Sequence, residues 1–143
     1  MQTSVVKSNN FKVTETNPDC IKEYVEGWCR RDAAQVVQSF SDDGVFVDKP
    51  HPDIRKSDLT DFLDNVAWMN FPDMEFETLS VFGDGKTFAW VWVMLVGNPG
   101  FIKGSRGRQI AVPGVDVMRV KGDRIQLAVS YFDRKMLWDS VLG

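Results

Sequence analysis

Residues 110–125 read IAVPGVDVMRVKGDRI, and this stretch decides what kind of fold the chain can adopt. Alternate side chains of a β-strand point to opposite faces, and the run from Gln109 to Lys121 keeps one of its faces almost wholly apolar. Gly122-Asp123 is a tight-turn pair, and Arg124 to Phe132 is again rich in apolar residues. The stretch therefore predicts two long antiparallel strands joined by a short turn.

Two more strands are predicted just upstream. Met74 to Phe82 alternates, Gly83 to Lys86 has the composition of a hairpin turn, and Thr87 to Val96 is long and rich in aromatic and branched residues. A glycine-rich, basic connection from Asn98 to Gly107 leads back to the first pair. We interpret this connection as a solvated loop or as a rim for the anionic tail of a substrate.

The N-terminal part of the chain is predicted to begin with an amphipathic helix. Asn17-Pro18-Asp19 offers a capping side chain, a proline for the first helical position and an acid for the first turn. Apolar residues then recur at the spacing of a buried helical stripe, at Ile21, Tyr24, Val25 and Trp28.

Further helices follow. Asp32 is predicted to cap a short second helix through Phe40, and Ser57 to cap a third helix that ends near Trp68. Between them, residues 41–44 are predicted to form a turn and Val45 to Asp48 a short strand. Asp133 is predicted to cap a final helix.

Helices followed by an antiparallel meander predict an α+β fold, with about three N-terminal helices packed on one face of a curved sheet. Residues 1–16 are predicted to form an N-terminal arm, in which Phe11 to Thr16 is a candidate edge strand. We expect residues 17–143 to form one domain, because neither a linker nor an internal repeat divides them.

The composition excludes several classes of function. The chain has 143 residues, of which 43% are hydrophobic, and a net charge of −3, so it offers no basic face to nucleic acid. It has no apolar run long enough for a membrane span and no signal-like N-terminus, so we expect a cytoplasmic protein. Cys20 and Cys29 are too far apart on one helix to form a disulfide, and with a single histidine they are too few for a zinc site. We therefore expect no metal and no cofactor.

Three polar residues are the candidate catalytic groups. Asp116 lies on the apolar face of its strand, where it is either a protonated acid that donates to a substrate oxygen or an aspartate with a structural partner. Tyr24 lies on the inner stripe of the first helix, and its hydroxyl needs a partner there. Asp48 ends its strand just before Lys49-Pro50-His51-Pro52 and is either a base or a turn residue; His51 is expected to be solvated.

Aromatic residues are the candidate substrate contacts. Trp90, Trp92 and Met94 share one face of their strand, and alternation alone does not say whether that face lines a pocket or a dimer interface. The remaining candidates for contact with a bulky apolar substrate are Trp28, Phe46, Phe62, Trp68, Met118, Ser130 and Phe132.

Two segments carry a resemblance to a known family. EYVEGWCRRDAAQVVQSFSDDGVFVDKP, from residue 23, resembles the first helices and first strand of the ketosteroid isomerases and SnoaL-like polyketide cyclases of the NTF2-like superfamily. In that family a tyrosine precedes a catalytic aspartate by 24 residues, as Tyr24 precedes Asp48 here. IAVPGVDVMRVKGDRI resembles the strand that carries the second aspartate, which corresponds to Asp116. The resemblance implies a cone-shaped sheet and a homodimer that meets through the outer sheet face.

The chemistry that this resemblance implies is keto–enol chemistry without a cofactor. Asp48 would remove a proton α to a carbonyl of a polycyclic or polyketide-like ketone, and Tyr24 and protonated Asp116 would stabilise the enolate oxygen. Two alternatives remain open: a ligand-binding module without chemistry, and a hydrolase or cyclase that opens an epoxide. Epoxide-hydrolase relatives carry a carboxylate where this chain has Ser130.

Overall fold

The computed structural model describes residues 17–97 and 110–142, with side chains as far as Asp139. The predicted arm of residues 1–16 and the basic connection at 98–107 lie outside the described residues. Both therefore stay predictions, as does the division of the chain at residue 17.

Helices occur in the first half of the chain and at its C-terminal end. They are α1 (Asp19–Arg30), α2 (Ala33–Gln38), α3 (Lys56–Phe62), α4 (Trp68–Asn70) and α5 (Arg134–Leu142), and a π-helical turn (Leu63–Ala67) joins α3 to α4. The strands are β1 (Phe40–Val47), β2 (Ile54–Arg55), β3 (Glu75–Gly83), β4 (Thr87–Val96), β5 (Ile110–Lys121) and β6 (Arg124–Phe132).

The six strands form one curved, unclosed sheet in the order β2-β1-β6-β5-β4-β3. Strands β3 to β6 make the predicted antiparallel meander, and β1 pairs with β6 in parallel. This arrangement confirms the α+β class and the predicted strand pairs. The two-residue strand β2 was not predicted; it pairs with β1 and is too short for a periodic signal.

The inner face of the sheet carries the core and the polar candidates together. Trp90 of β4, Asp116 of β5 and Ser130 of β6 are direct cross-strand partners, so their side chains share this face. Helix α1 packs on the same face, where the rings of Tyr24 and Trp90 are 6.0 Å apart. The predicted placement of Asp116 among apolar neighbours is therefore confirmed.

Two helix starts differ from the prediction. Helix α1 begins after Pro18, which takes the cap position predicted for Asn17 and whose carbonyl accepts the backbone N–H groups of Ile21 and Lys22. Helix α3 begins at Lys56, because β2 ends at Arg55 and the Lys56 ammonium donates to the Phe40 carbonyl. The caps of α2 and α5 are as predicted, with Asp32 accepting from the Gln35 amide and Asp133 from the Met136 amide.

The predicted turn at residues 41–44 is a bulge inside β1 instead. The parallel pairing with β6 shifts register between Phe40 and Val45. The Ser41 hydroxyl stabilises the bulge by donating to Asp43 and to the Ile125 carbonyl. Side-chain hydrogen bonds of this kind usually favour turns, but here β1 continues after the bulge to Val47.

Candidate active site

A cavity of about 390 Å³ lies between the inner face of the sheet, the helical run from α3 to α4, and α5. Most of its wall is aromatic or aliphatic, and two carboxylates, one arginine and one histidine interrupt it. The lining residues are Trp28, Phe46, Asp48, Pro50, His51, Phe62, Val66, Ala67, Asn70, Phe71, Met74, Phe76, Trp90, Trp92, Met94, Asp116, Ser130, Phe132, Arg134, Leu137 and Trp138.

Ten of the thirteen residues proposed from the sequence line this cavity, and the other three are correctly on the inner side but lie behind its wall. Tyr24 and Met118 are fully buried in the core. Trp68 packs edge-on against Trp28 at 5.7 Å and under the Arg31 guanidinium at 5.7 Å.

Asp116 is the most enclosed polar group of the cavity, with 2% of its surface exposed. The Tyr24 hydroxyl donates to its Oδ2 at 2.6 Å, and the Trp92 Nε1–H donates to its Oδ1 at 3.1 Å. The Ser130 hydroxyl lies opposite it on β6 and is near enough to lower its pKa. Donors that converge on one side chain suit an ionised carboxylate, which only accepts.

Opposing effects set the pKa of Asp116. Burial raises it, the donors Tyr24, Ser130 and Trp92 lower it, and the nearby charge of Asp48 raises it again, giving a pKa of about 6. The direction agrees with the expectation from the sequence. Because the pKa lies close to neutral, this carboxyl group can both take up and release a proton near pH 7.

Tyr24 donates a hydrogen bond to Asp116 from the buried core, and not from the cavity. Burial, followed by the adjacent Asp116 carboxylate, raises the pKa of the Tyr24 hydroxyl well above its usual value, so it remains a protonated donor. Because this hydroxyl already donates to Asp116 and has no face on the cavity, it is not placed to donate to a substrate oxygen. The hydroxyl therefore supports Asp116 in this geometry, and the role of Tyr24 toward a substrate oxygen stays a prediction.

Asp48 lies at a second polar position in the cavity wall. Its carboxylate accepts a hydrogen bond from Nη2 of Arg134, the first residue of α5, and forms an ion pair with it. Burial raises the pKa of Asp48, while the charges of Arg134 and His51 lower it. His51 also lines the cavity and packs edge-on against Phe62 at 5.3 Å, contrary to the expectation of a solvated loop residue.

Sequence reasoning missed the contributions of the helix wall and of α5. Arg134, Leu137 and Trp138 reach the cavity from α5, and Asn70 and Phe71 reach it from the end of the α3–α4 run. The signal for Arg134 was weak, because a cation directly after a helix cap is ordinarily on the surface.

The indole nitrogen of Trp28 is a buried donor beside the cavity. Trp28 lines the cavity, and its buried Nε1–H has no well-formed hydrogen bond among the described residues. It lies near enough to Tyr24 to lower the pKa of that phenol. Because this nitrogen has almost no accessible surface, it faces the core beside Tyr24 and not the cavity.

Within the part of the chain that the structure describes, no three His, Cys, Asp or Glu side chains are grouped so that they could hold a metal ion. Cys20 and Cys29 are both free, as predicted. Of the helices in residues 17–97 and 110–142, none combines the length and apolarity needed to span a membrane.

A curved sheet that encloses an apolar cavity with helices on its inner face defines the class of NTF2-like proteins. The chain belongs to the SnoaL-like domain family, whose model matches residues 21–128. None of the curated proteins matches the sequence.

Solved structures share the fold at low sequence identity. A protein from Shewanella putrefaciens proposed to be a SnoaL-like polyketide cyclase is 18% identical, with a TM-score of 0.73 over 99% of this chain and 98% of the other. One from Acidithiobacillus ferrooxidans, proposed to be a polyketide cyclase, is 17% identical, with a TM-score of 0.73 over 91% and 98%. AclR from Streptomyces galilaeus, proposed to be a hydroxylase, is 17% identical, with a TM-score of 0.70 over 86% and 78%.

Proposed function

We propose that this protein is a cofactor-independent acid/base enzyme that forms an enolate from a bulky, apolar, polyketide-like ketone and acts as a cyclase or isomerase. The observation that carries the proposal is Asp116, a buried carboxylate with a pKa of about 6 that faces an aromatic cavity. A catalytic base is most effective when its pKa lies near the working pH, and this value is close to neutral.

In the proposed reaction Asp116 takes the proton from the carbon α to the ketone. Its Oδ–H bond forms as the C–H bond breaks, and the electron pair of that bond moves to the carbonyl oxygen as an enolate. This assignment moves the role of base from Asp48 to Asp116, because Asp48 is in an ion pair with Arg134. Tyr24 and Trp92 orient Asp116 and do not contact the reacting carbon.

The enolate oxygen needs donors inside the cavity. Ser130 lines the cavity beside Asp116, and its hydroxyl can turn to donate to this oxygen once Asp116 has taken the proton. Hydrogen bonds of this kind are strong here, because the apolar wall excludes competing water.

The enolate has two productive fates. In an isomerase, Asp116 returns its proton to a different carbon of the conjugated system. In a cyclase, the enolate carbon attacks a second carbonyl, a new C–C bond forms, and the resulting alkoxide takes the proton from Asp116. Relatives proposed to be polyketide cyclases favour the second fate, and the cavity volume of about 390 Å³ is in the range of small-molecule sites.

The test is deuterium exchange at the α carbon of 2-tetralone in D₂O, followed by NMR. We expect wild type to exceed the buffer rate and D116N to lose on the order of 10²-fold or more of that excess. D48N is expected to keep the exchange, and D64N, which removes an exposed carboxylate from the helical run, is the matched control. Equal exchange in wild type and D116N would exclude Asp116 as the base, and binding without exchange in wild type would favour the ligand-binding alternative.

We also propose that two copies associate through the outer face of the sheet. Phe82 of β3 and Tyr131 of β6 are 57% and 56% exposed on that face, and exposed large apolar side chains on one face favour an interface. Free cysteines suit a reducing compartment, so we propose a cytoplasmic location.

A further inference from the structure

Arg134 is a cation placed in a mostly apolar cavity wall. Of the side chains that line the cavity in the described part of the chain, it is the single arginine or lysine. Its guanidinium carbon lies 4.4 Å above the centre of the Phe132 ring, and 28% of its side chain is exposed. The Phe132 ring covers one face of the guanidinium, so the N–H groups at its edge are available for hydrogen bonds.

The partner on that edge is the protein's own Asp48, and the contact is a single hydrogen bond. It joins Nη2 to Oδ1, although a guanidinium has five N–H groups and commonly binds a carboxylate through two of them. Asp48 lies just beyond the end of β1, in a turn whose backbone accepts from the His51 amide, while Arg134 begins α5. The pair therefore joins two separate elements across the edge of the cavity.

We propose that Arg134 is the binding site for an acidic group of the ligand, a carboxylate or a strongly acidic enol, and that Asp48 occupies this site until the ligand arrives. An incoming acid replaces Asp48 on the guanidinium edge, with its apolar body in the aromatic cavity. This inference rests on the proposed function for the other end of the ligand, where a ketone meets Asp116. The substrate class is then a keto acid whose acidic group and reacting carbonyl lie at opposite ends of an apolar skeleton.

Asp48 acts in this arrangement as an internal competitor. An external acid has to replace a carboxylate that is tethered beside the arginine, so its binding is weakened by the presence of Asp48. A neutral ligand of the same shape leaves the ion pair intact and has no such competition. Removal of the Asp48 charge should consequently strengthen the binding of acids and leave neutral ligands unchanged.

The test compares 2-naphthoic acid with its neutral analogue 2-acetonaphthone, by titration calorimetry at pH 7.5. We expect D48N to bind naphthoate about tenfold more tightly than wild type, and R134Q to bind it at least about tenfold more weakly. Acetonaphthone is expected to bind all three proteins within about twofold. R134K retains the positive charge but lacks the paired N–H groups of the guanidinium, so it should bind naphthoate with intermediate affinity.

Acetonaphthone binding shows that each variant keeps its cavity. If R134Q does not fold, the proposal is tested by comparing the naphthoate affinities of R134K and D48N with that of wild type. Naphthoate binding that is unchanged in both arginine variants, or weakened in D48N, would overturn the proposal. These measurements report equilibrium binding, so they do not depend on catalysis. If the naphthoate affinities change as expected but α-proton exchange is absent, the acid-binding site is supported and the proposed chemistry is wrong.

Discussion

The indole ring of Trp92 lies directly over Gly114, its cross-strand partner, so closely that a Cβ on residue 114 would be 2.2 Å from ring atom Cη2. This close approach lets the indole reach Asp116, two residues along β5, and donate to its Oδ1. The absence of a side chain at position 114 is therefore a condition for one of the hydrogen bonds that set the state of the carboxylate.

The first prediction concerns G114A. The added methyl group must displace the Trp92 ring, which should cost about 1–3 kcal/mol of unfolding free energy, as overpacking of a core usually does. Loss of the Trp92 hydrogen bond should also raise the pKa of Asp116, because that bond favours the ionised form. Urea denaturation and the pH dependence of exchange measure the two effects.

The double variant G114A/W92F separates packing from hydrogen bonding. Phenylalanine lacks the part of the indole that meets the new methyl group, so the stability should largely return. The pKa of Asp116 should remain raised, since phenylalanine donates no hydrogen bond. Recovery of both properties together would show that the Trp92 N–H has no influence on Asp116.

The second prediction concerns Y24F. The Tyr24 hydroxyl is the largest of the hydrogen-bonding influences that lower the pKa of Asp116, so its removal should raise that pKa. The acidic limb of the rate profile, near pH 6 in wild type, should move to higher pH, and the rate at pH 6 should fall severalfold. Y131F alters the other tyrosine, which is exposed, and should leave the profile unchanged. A Y24F profile that superimposes on wild type would contradict the proposed support of Asp116.

Alternation of side chains with a repeat of two residues explains why several cavity residues on the sheet could be predicted. Side chains of β4 and β5 alternate, so Trp90 and Trp92 could be assigned to one face of β4, and Asp116 to the apolar face of β5, without a structure. That these two faces coincide depends on the register of the strand pair, which alternation does not give. Met118 belongs to the same face, but curvature of the sheet places it in the core beyond the cavity.

Helical side chains were harder to place. An apolar helical stripe is broad, so Tyr24 and Trp28 were both assigned to the inner side, although only Trp28 reaches the cavity. Arg134 was missed because the position of α5 over the sheet is a tertiary property, to which the local sequence gives no guide. The ion pair with Asp48, which changes the role proposed for that residue, could not be predicted for the same reason.

The third prediction concerns Arg31, which follows α1 in a left-handed conformation with φ 57°. Its guanidinium donates to the carbonyls of Trp68, Phe71 and Met74, in the segment that closes one side of the cavity. R31M removes a charged donor from these carbonyls, of which that of Phe71 keeps the Met74 amide, at a cost of about 1.5–3 kcal/mol. Hydrogen exchange should accelerate in residues 68–74 and stay unchanged in the β5–β6 pair. Uniform acceleration in both regions would instead indicate a global effect.

The fourth prediction concerns the proposed dimer. Y131R places a charge at the centre of the exposed outer face, opposite Val115 on β5. If two copies meet there, sedimentation should show a dimer for wild type and a monomer for Y131R at the same concentration. M69R, which changes an exposed residue on the helical side, is the control and should sediment like wild type. Identical behaviour of all three proteins would contradict association through this face.

The fifth prediction is a pH dependence of stability that Asp116 imposes. Its pKa rises from 3.8 to about 6 on folding, so the folded chain holds a proton that the unfolded chain releases between these values. Stability from this group is present below pH 3.8 and is lost as pH rises through 6, by about 3 kcal/mol in total. The unfolding free energy of wild type minus that of D116N should therefore fall from pH 4 to pH 6.5 and then level off.

Asp84 supplies a control of opposite sign for this measurement. The backbone N–H groups of Thr87 and Lys86 lower the pKa of its exposed carboxylate, so its contribution is present above the unfolded pKa and is lost as pH falls. The difference between wild type and D84N should accordingly rise with pH where the D116N difference falls. A flat D116N difference would mean that Asp116 titrates in the folded protein as it does in the unfolded chain, and a base tuned to neutral pH would then be excluded.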